Sequence, residues 1–571
     1  MRLRRFLEFC VERVQSEPDA PLKEYTIGVE VFDKPASFDP RLDSIVRVEA
    51  HRLRAKLDAF YRDAPAGGSV KINFPQRGYK PMLQSSSAGW GDSRGEAEAG
   101  PGIRSLALLP MANPGGIPED EHFGDGLTEE LIDLLTRFEN LRMVAWNSSR
   151  LYRGKVVDLR RVGKDLGVEV VVEGSLRRTQ RGLRIGMRLV QVADGVYLWS
   201  ETFERGLSEL LVLRREICQA VVDALQVHLA VSSIKPALLI SDVSPEVYYA
   251  CLRGRHHMTK RTAAATAKAI ECFEKAIATG SRFAGAHAGL ASACVLLSTY
   301  GDHAPNTMMP RARDSARHAL ELGQPDAEAH AALGVVRAVY ELDWAGAERE
   351  FRLAIGSQPG CAQAHMWYAH ACLTPLARFD EAIEEMRRVL ELDPLSTVGL
   401  AIAAWGCLAA GRPEQAREHC RHALELEPHF YLPRLVLGAL LEREGKLDQA
   451  LDDYREALKY SGGGPIVMGF MGRILARMGR SREAVEVLTN LEEMSRRRFV
   501  SEVDFATVHL GLGDVETAIE CLYRAHANRS SRLCWVGVDP FFEPLRGHER
   551  YRALLRALFR GQQKNSPLFR R

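Results

Sequence analysis

Cys361, His365, His370 and Cys372 are the densest group of soft metal ligands in the sequence. Cys361 and His365 stand one helical turn apart, a spacing that can seat a metal. The 361-365-370-372 pattern matches no zinc module, and a packed helix accommodates Cys and His equally well. No metal is expected there, nor at His256-His257 or at His419, Cys420 and His422. Phosphate and acyl chemistry find no better footing. Gly154-Lys155 is followed by Val and lacks the upstream Gly of a GxxxxGK[ST] loop, HExxH is absent from the sequence, and Gly174-Ser175 has the wrong spacing for a GxSxG elbow. Two features could hold an anion. Gly124–Gly126 (GDG) stands before a helical pattern, where it either cradles a phosphate or serves as a glycine-assisted helix start with Asp125 near the N-cap. Arg177, Arg178, Arg181, Arg184 and Arg188 form a basic hairpin, which is otherwise the solvated face of a strand pair. The reading is of a protein without catalytic residues or cofactor, and not an enzyme.

A different chemistry is available near the N-terminus. Arg41–Lys80 holds nine Lys+Arg against four Asp+Glu, a net of +5 inside a chain whose overall charge is +2. Global electrostatics therefore give no argument for nucleic acid or membrane, and any basic site is local. Helices are expected over Leu22–Phe32 and Ser44–Arg62, followed by a strand at Val70–Phe74. On the second helix Val46, Ala50, Leu53 and Leu57 share one face, with His51 and Arg52 opposite and Arg47 and Lys56 on the flanks. The run VRVEAHRLRAKLD followed by INFPQRGYK resembles the C-terminal DNA-binding winged helix of response-regulator transcription factors. Leu53, Arg54, Lys56 and Leu57 match that family's recognition-helix core, and Arg77, Gly78 and Tyr79 match a shortened wing. The resemblance implies that Arg47, His51, Arg52 and Arg54 face the major groove or its phosphates, that Lys56 binds the backbone, and that Arg77 sits on the wing. Glu49 in the helix and Pro75 in the wing depart from the pattern. The alternative is the same fold used for protein contacts. A single domain of this size would need a second copy for specificity, which makes a homodimer possible.

The elements that must carry these residues divide the chain. Its 571 residues suffice for three or four domains, with 46% hydrophobic and 26% charged residues, as in soluble globular protein. Eleven cysteines without a CxxC pair argue against a disulfide scaffold. Glu8 and Glu12 interrupt the apolar N-terminal stretch, so no signal peptide is expected, and a cytoplasmic location with no membrane contact follows. Residues 84–102 read as a flexible linker between a winged-helix-like domain (1–83) and an α/β domain (103–230). In that domain strands are expected at Ser105–Leu109, Leu141–Trp146, Val168–Arg177, Leu183–Val192 and Tyr197–Phe203. Helices are expected at Leu127–Phe138, Asp158–Leu166 and Leu207–Leu229. FGDGLTEELIDLL, SSRLYRGK, VGKDLGVEVVVEGSLRR and LRIGMRLVQVADGVYLWSETFER resemble the TolB N-terminal-like domain, whose bacterial relatives often place it upstream of tetratricopeptide (TPR) arrays. Some carry a class III adenylate cyclase domain in front; the first 100 residues here hold no counterpart, so cyclase activity is not expected.

From residue 245 onward the sequence repeats. Pro325, Pro359, Pro394 and Pro428 follow one helix at spacings of 34, 35 and 34 residues. Ala319, Ala354, Val389, Ala423 and Ala457 keep the same period, as do Gly334, Ala369, Ala404, Gly438 and Gly472 in the other helix. The period and the small contact residues resemble TPR repeats, seven or eight helical hairpins stacked on a shared core with a C-terminal cap from Asp539. The uncharged run Pro394–Gly411 falls inside one repeat, as core. His365, Tyr368 and Trp405 lie on first helices, where TPR arrays hold a protein or peptide in their groove. The fold class expected is multidomain α+β: small winged helix, α/β TolB-like domain, all-α TPR solenoid. The function expected is a regulator that binds DNA and a protein partner, or a scaffold that binds protein alone.

Overall fold

The computed structural model describes residues 2–16, 22–35, 38–39, 45–63, 70–73, 79, 81–85, 105–116, 118–136, 141–155, 158–180, 182–206, 209–228, 244–259, 262–279, 282–299, 303–322, 326–561 and 568. The fold divides into two compact units, one from residues 1–102 with 224–230, the other from residues 103–223 and 231–571.

In the first unit, helices α1 (Arg2–Ser16), α2 (Glu24–Phe32) and α3 (Ile45–Asp63) precede strands β1 (Val70–Asn73) and β2 (Met82–Ser85). The strands pair antiparallel, Val70 opposite Ser85 and Asn73 opposite Met82. The stretch weighed only as a signal peptide folds as α1. Its Phe6 and Cys10 join Ile27 and Val31 of α2, Phe38, and Val46, Ala50 and Leu53 of α3 in one buried core. The helical face expected on α3 is therefore the one that packs. Gly28 allows close approach here, since a Cβ would stand 2.2 Å from the Phe38 ring. Strand β2 takes Gln84 and Ser85 from the start of the stretch read as a linker; residues 86–102 lie outside the described ones.

The second unit opens with a five-stranded sheet of order β4-β3-β5-β6-β7, from β3 (Ser105–Leu108), β4 (Arg142–Met143), β5 (Val170–Thr179), β6 (Gly182–Gln191) and β7 (Tyr197–Arg205). Parallel pairing joins β3 to β4 and β5, and the rest is an antiparallel meander. Every residue of β3 is buried, as an apolar run in a central parallel strand requires. Three helices accompany the sheet, α4 (Pro118–Leu135), α5 (Trp146–Ser149) and α6 (Leu159–Leu166), and α7 (Leu210–His228) follows β7 in the chain. Asp158 caps α6 by accepting from the Arg160 N–H, and Gly167 ends it with φ 63°. Two expectations are corrected. The second strand is shorter than expected, because Trp146 opens α5. Helix α4 starts at Pro118, so Gly124–Gly126 lies inside it and offers no free N–H groups. Pro at the first helical position followed by Glu119, Asp120 and Glu121 is a strong helix start that the apolar periodicity did not register.

Eight helical hairpins follow among the described residues. They are α8 (Pro245–Thr259) with α9 (Ala263–Ala278), α10 (Ala284–Thr299) with α11 (Pro305–Glu321), α12 (Ala327–Val335) with α13 (Trp344–Ser357), and α14 (Ala362–Trp367) with α15 (Phe379–Leu392). Then come α16 (Thr397–Ala409) with α17 (Pro413–Leu426), α18 (Tyr431–Arg443) with α19 (Leu447–Tyr460), α20 (Pro465–Arg477) with α21 (Ser481–Ser495), and α22 (Glu502–Gly511) with α23 (Val515–Ala527). Ala319, Ala354, Val389, Ala423 and Ala457 are all buried. Two glycines of the other register receive aromatic rings: Phe351 packs against Gly334 and Tyr454 against Gly438, where a Cβ would stand 2.9 and 2.4 Å from the ring, while Gly472 meets Val508 and Val487. After α12 and α14 the chain continues as π-helical turns, Val336–Glu341 and Tyr368–Leu373. Two 3₁₀ segments, Ser531–Trp535 and Pro540–Gly547, and helix α24 (Glu549–Leu558) end the fold.

Candidate functional site

The basic residues of α3 are placed as follows. Arg52 is 65% exposed at its side chain and reaches the buried Glu49 at 3.0 Å. Arg47 stands 3.4 Å from Glu24, which also accepts a 2.5 Å hydrogen bond from the Tyr79 hydroxyl. Arg54 is half-buried, and that burial pulls its guanidinium below the ordinary value. Lys56 is exposed; the His51 side chain and all of Arg77 lie outside the described residues. Glu49, read as a departure from a DNA-binding helix, is thus the partner of one of its arginines.

In the β5–β6 hairpin one arginine is held by an acid and two others lie opposite acids in the strand register. Arg178 grips Asp120 through Nε at 3.1 Å and Nη2 at 2.6 Å. Arg184 lies opposite Glu204 on β7 and Arg188 opposite Glu173 on β5, with Arg188 also 5.5 Å above the Tyr197 ring. Arg177 is exposed; Arg181 lies outside the described residues.

The sheet module is docked on the helical array at three places. Helix α4 packs on α8, where Leu252 fills the notch over Gly126 and the Tyr248 hydroxyl donates to Glu130 at 2.6 Å. Asp125, buried, pairs with Arg153 and stands 3.4 Å from His256, so it holds two elements together. Next to it, Arg255 reaches Glu328 of α12 at 3.1 Å and Asp133 of α4 at 4.0 Å. Burial pushes Glu129 up to about 7, with Arg255 opposing and Asp133 adding to the rise; burial likewise raises Asp326 to about 6. At the second place Gln358, in the turn after α13, donates to Thr136 at 2.6 Å. At the third, the turn between α15 and α16 enters the module. The Ala145 N–H donates to the Leu392 carbonyl at 2.7 Å. The Ser148 hydroxyl and Asn147 amide donate to buried Asp393 at 2.5 and 3.1 Å, Arg142 donates to the Glu391 carbonyl at 2.7 Å, and Leu395 joins the apolar cluster of Ala107, Val162 and Val171. In sequence that turn, LELDP, looks like any other repeat turn.

The inner face of the array is closed by its own C-terminal segment. The last carbonyls of a helix have no intrahelical partner, and the π turns present two of them. Arg529 donates to the Tyr340 carbonyl and the Trp535 indole to the His370 carbonyl, each at 3.0 Å. The Trp344 indole donates to the Leu558 carbonyl at 2.8 Å and stacks on Phe559 at 5.3 Å. His370 lies 4.6 Å from the Trp535 ring, and burial lowers it to about 4, so it is neutral at pH 7. The inner face holds a partly open cavity of about 230 Å³, lined chiefly by apolar residues of the first helices from α10 to α22. Of the three residues read as partner-facing, Trp405 lines this cavity. His365 is turned away, between Glu385 at 2.5 Å and the Pro359 carbonyl at 3.0 Å. Tyr368 donates to Glu348 at 3.1 Å, and burial raises its hydroxyl to about 12. No group of three or more His, Cys, Asp or Glu side chains placed to hold a metal occurs among the described residues, and no helix there is long and apolar enough to cross a membrane.

Paired helices with a 34-residue period, small residues at the crossings and a continuous core define a helical-repeat solenoid. Residues 335–397 and 400–465 match the tetratricopeptide repeat family, so the C-terminal array is TPR-like. Over 190 residues the chain is 34% identical to a protein named "Putative adenylate cyclase 3" from Rhizobium meliloti (strain 1021), spanning 33% of this chain and 32% of that relative. The chain thus covers about a third of the length of that relative. Among solved structures, a human IFIT1 dimer with PPP-AAAA covers 49% of this chain and 72% of its own, at 16% identity and TM-score 0.38. Pseudomonas aeruginosa pilF covers 40% and 96%, at 22% identity and TM-score 0.29.

Proposed function

We propose that this chain is a non-catalytic scaffold whose TPR array receives a protein partner, with the sheet module held on the array as part of the same binding body. The observation that carries this reading is the array of eight hairpins matched in part to the TPR family, a fold whose stacked, rigid surface serves protein recognition. The name of the cyclase relative is not carried over, since the shared stretch is a third of that protein. Exposed Leu353 and Val485, on second helices of the array, are apolar side chains a partner could cover.

A second reading keeps DNA binding through a winged helix. Three helices followed by a hairpin, with Arg52 and Lys56 exposed on α3, support it. Against it stand Arg47 beside Glu24, Arg52 beside Glu49, and the half-buried Arg54, because a cation already held by a carboxylate releases less on meeting a phosphate. The test is a photo-reactive side chain placed in the full chain at Leu353, at Val485 or at Lys56 and activated in living cells. The scaffold reading expects a discrete protein adduct from the array positions and none to DNA. DNA adducts from Lys56, with no protein adduct from the array, would reverse the order of the two readings.

A further inference from the structure

The cavity inside the closed array has a polar end. Thr299, Ile466, Ser531 and Arg532 line both the apolar cavity and an adjoining alcove of about 10 Å³, room for roughly one water-sized group. Ser298, Ser501, Ser530 and Asp504 add its other polar walls. Most of its polar atoms are satisfied: the Ser501 and Ser530 hydroxyls share a 2.7 Å hydrogen bond, and Arg532 pairs with Asp504. One is not. The Ser298 hydroxyl, on a side chain 1% exposed, has no hydrogen-bond partner among the described residues. Such a group is costly to bury unless something fills the space beside it.

Size and charge narrow the occupant. An apolar cavity of about 150 Å³ holds benzene, so about 230 Å³ suits on the order of ten non-hydrogen atoms. The charged side chains lining the cavity and alcove are Arg532 against Asp504 and Asp539, so nothing there favours an added negative charge. A neutral hydroxyl or amide both donates and accepts, as Ser298 requires. We propose that the closed TPR array binds a small neutral amphiphile, its apolar body in the central cavity and its hydroxyl or amide head against Ser298. This inference is independent of which macromolecule the scaffold recognises.

The experiment titrates the full chain with 1-nonanol and, separately, with nonanoate at pH 7.5, reading tryptophan emission and thermal midpoint. Trp367, Trp405 and Trp535 line the cavity and report occupancy directly. Saturable binding of nonanol with a raised midpoint is expected, and nonanoate should bind at least tenfold more weakly. Ser298→Ala should weaken nonanol about fivefold while keeping the fold. Ala401→Phe, which fills the cavity from its wall, should abolish binding. Absence of nonanol binding to the wild-type chain, equal binding of nonanoate, or nonanol affinity unchanged in Ser298→Ala would each overturn the proposal; the last stands even if Ala401→Phe does not fold.

Discussion

Asp393 shows how one carboxylate can bind two structures that the sequence presents as separate. It is buried, and its two oxygens take the Ser148 hydroxyl and the Asn147 amide. A hydrogen bond to a charged acceptor is worth about 1.5–3 kcal/mol, and the donors would be left unpaired without it. Asp393→Ala should therefore cost about 2–4 kcal/mol in urea unfolding followed through Trp146, beside the contact. Arg255 is set among Glu328, Asp133, Glu129 and Asp326; Arg255→Met leaves those acids facing each other and should destabilise by roughly 1–3 kcal/mol, the loss being regained progressively as pH falls from about 7 and first Glu129, then Asp326, takes up a proton. His370 gives a pH signature of opposite sign. Its folded value, about 4, lies below the ordinary 6.5, so below pH 6.5 the unfolded chain takes up a proton that the folded chain refuses. Stability from this group should fall as pH drops from about 6.5 to 4, by roughly 1–3 kcal/mol. His370→Phe, which keeps the ring against Trp535, should flatten that part of the profile.

At the scale of elements, the repeat glycines separate two effects that oppose each other. Adding a methyl to a helical glycine gains about 0.5–1 kcal/mol of backbone preference. At Gly438 the new Cβ would meet Tyr454, whose hydroxyl is anchored on Glu442 at 3.1 Å, so the ring has nowhere to go. Gly438→Ala should lower the thermal midpoint by several degrees. At Gly356 nothing lies within 4 Å, and Gly356→Ala should raise it slightly. The repeat was legible because each crossing demands the same small residue every 34 or 35 positions, and the hairpin order of β5–β7 because period-2 patterns bounded by turn residues are local signals. The start of α4 was not, because the apolar pattern begins at Leu127 while Pro118 and the acids after it extend the helix beyond the apolar face. Helix α1 carries periodic Leu3, Phe6, Leu7 and Cys10, but Glu8 and Glu12 within the same stretch make it look like a failed signal peptide rather than a core helix. His365 and Tyr368 are held by Glu385 and Glu348 of neighbouring second helices, pairings that their residue types alone do not announce.

At the scale of the molecule, what the sequence could not display are contacts between distant segments. Residues 142–148 meet 391–395, and Trp344 meets Leu558 and Phe559, across separations of 249 residues (Arg142 to Glu391) and 214 residues (Trp344 to Leu558). Each partner looks locally ordinary. The C-terminal cap was expected to cover the end of the array, yet it also crosses to the third and fourth hairpins and closes the inner face. Trp535→Ala removes an indole that donates to His370 and lines the cavity, and should open that face, giving faster exchange at Val336–Glu341 and Tyr368–Leu373. Module, array and closing segment would then serve a partner as one rigid body. Hydrogen exchange of the full chain, followed by mass spectrometry, measures this most directly. If they form one body, peptides covering 141–149, 391–395 and 531–545 share the slow, cooperative exchange of the array core, and Asp393→Ala accelerates the first two together. Exchange of 141–149 on its own faster schedule, unmoved by Asp393→Ala, would contradict the docking on which the scaffold reading depends.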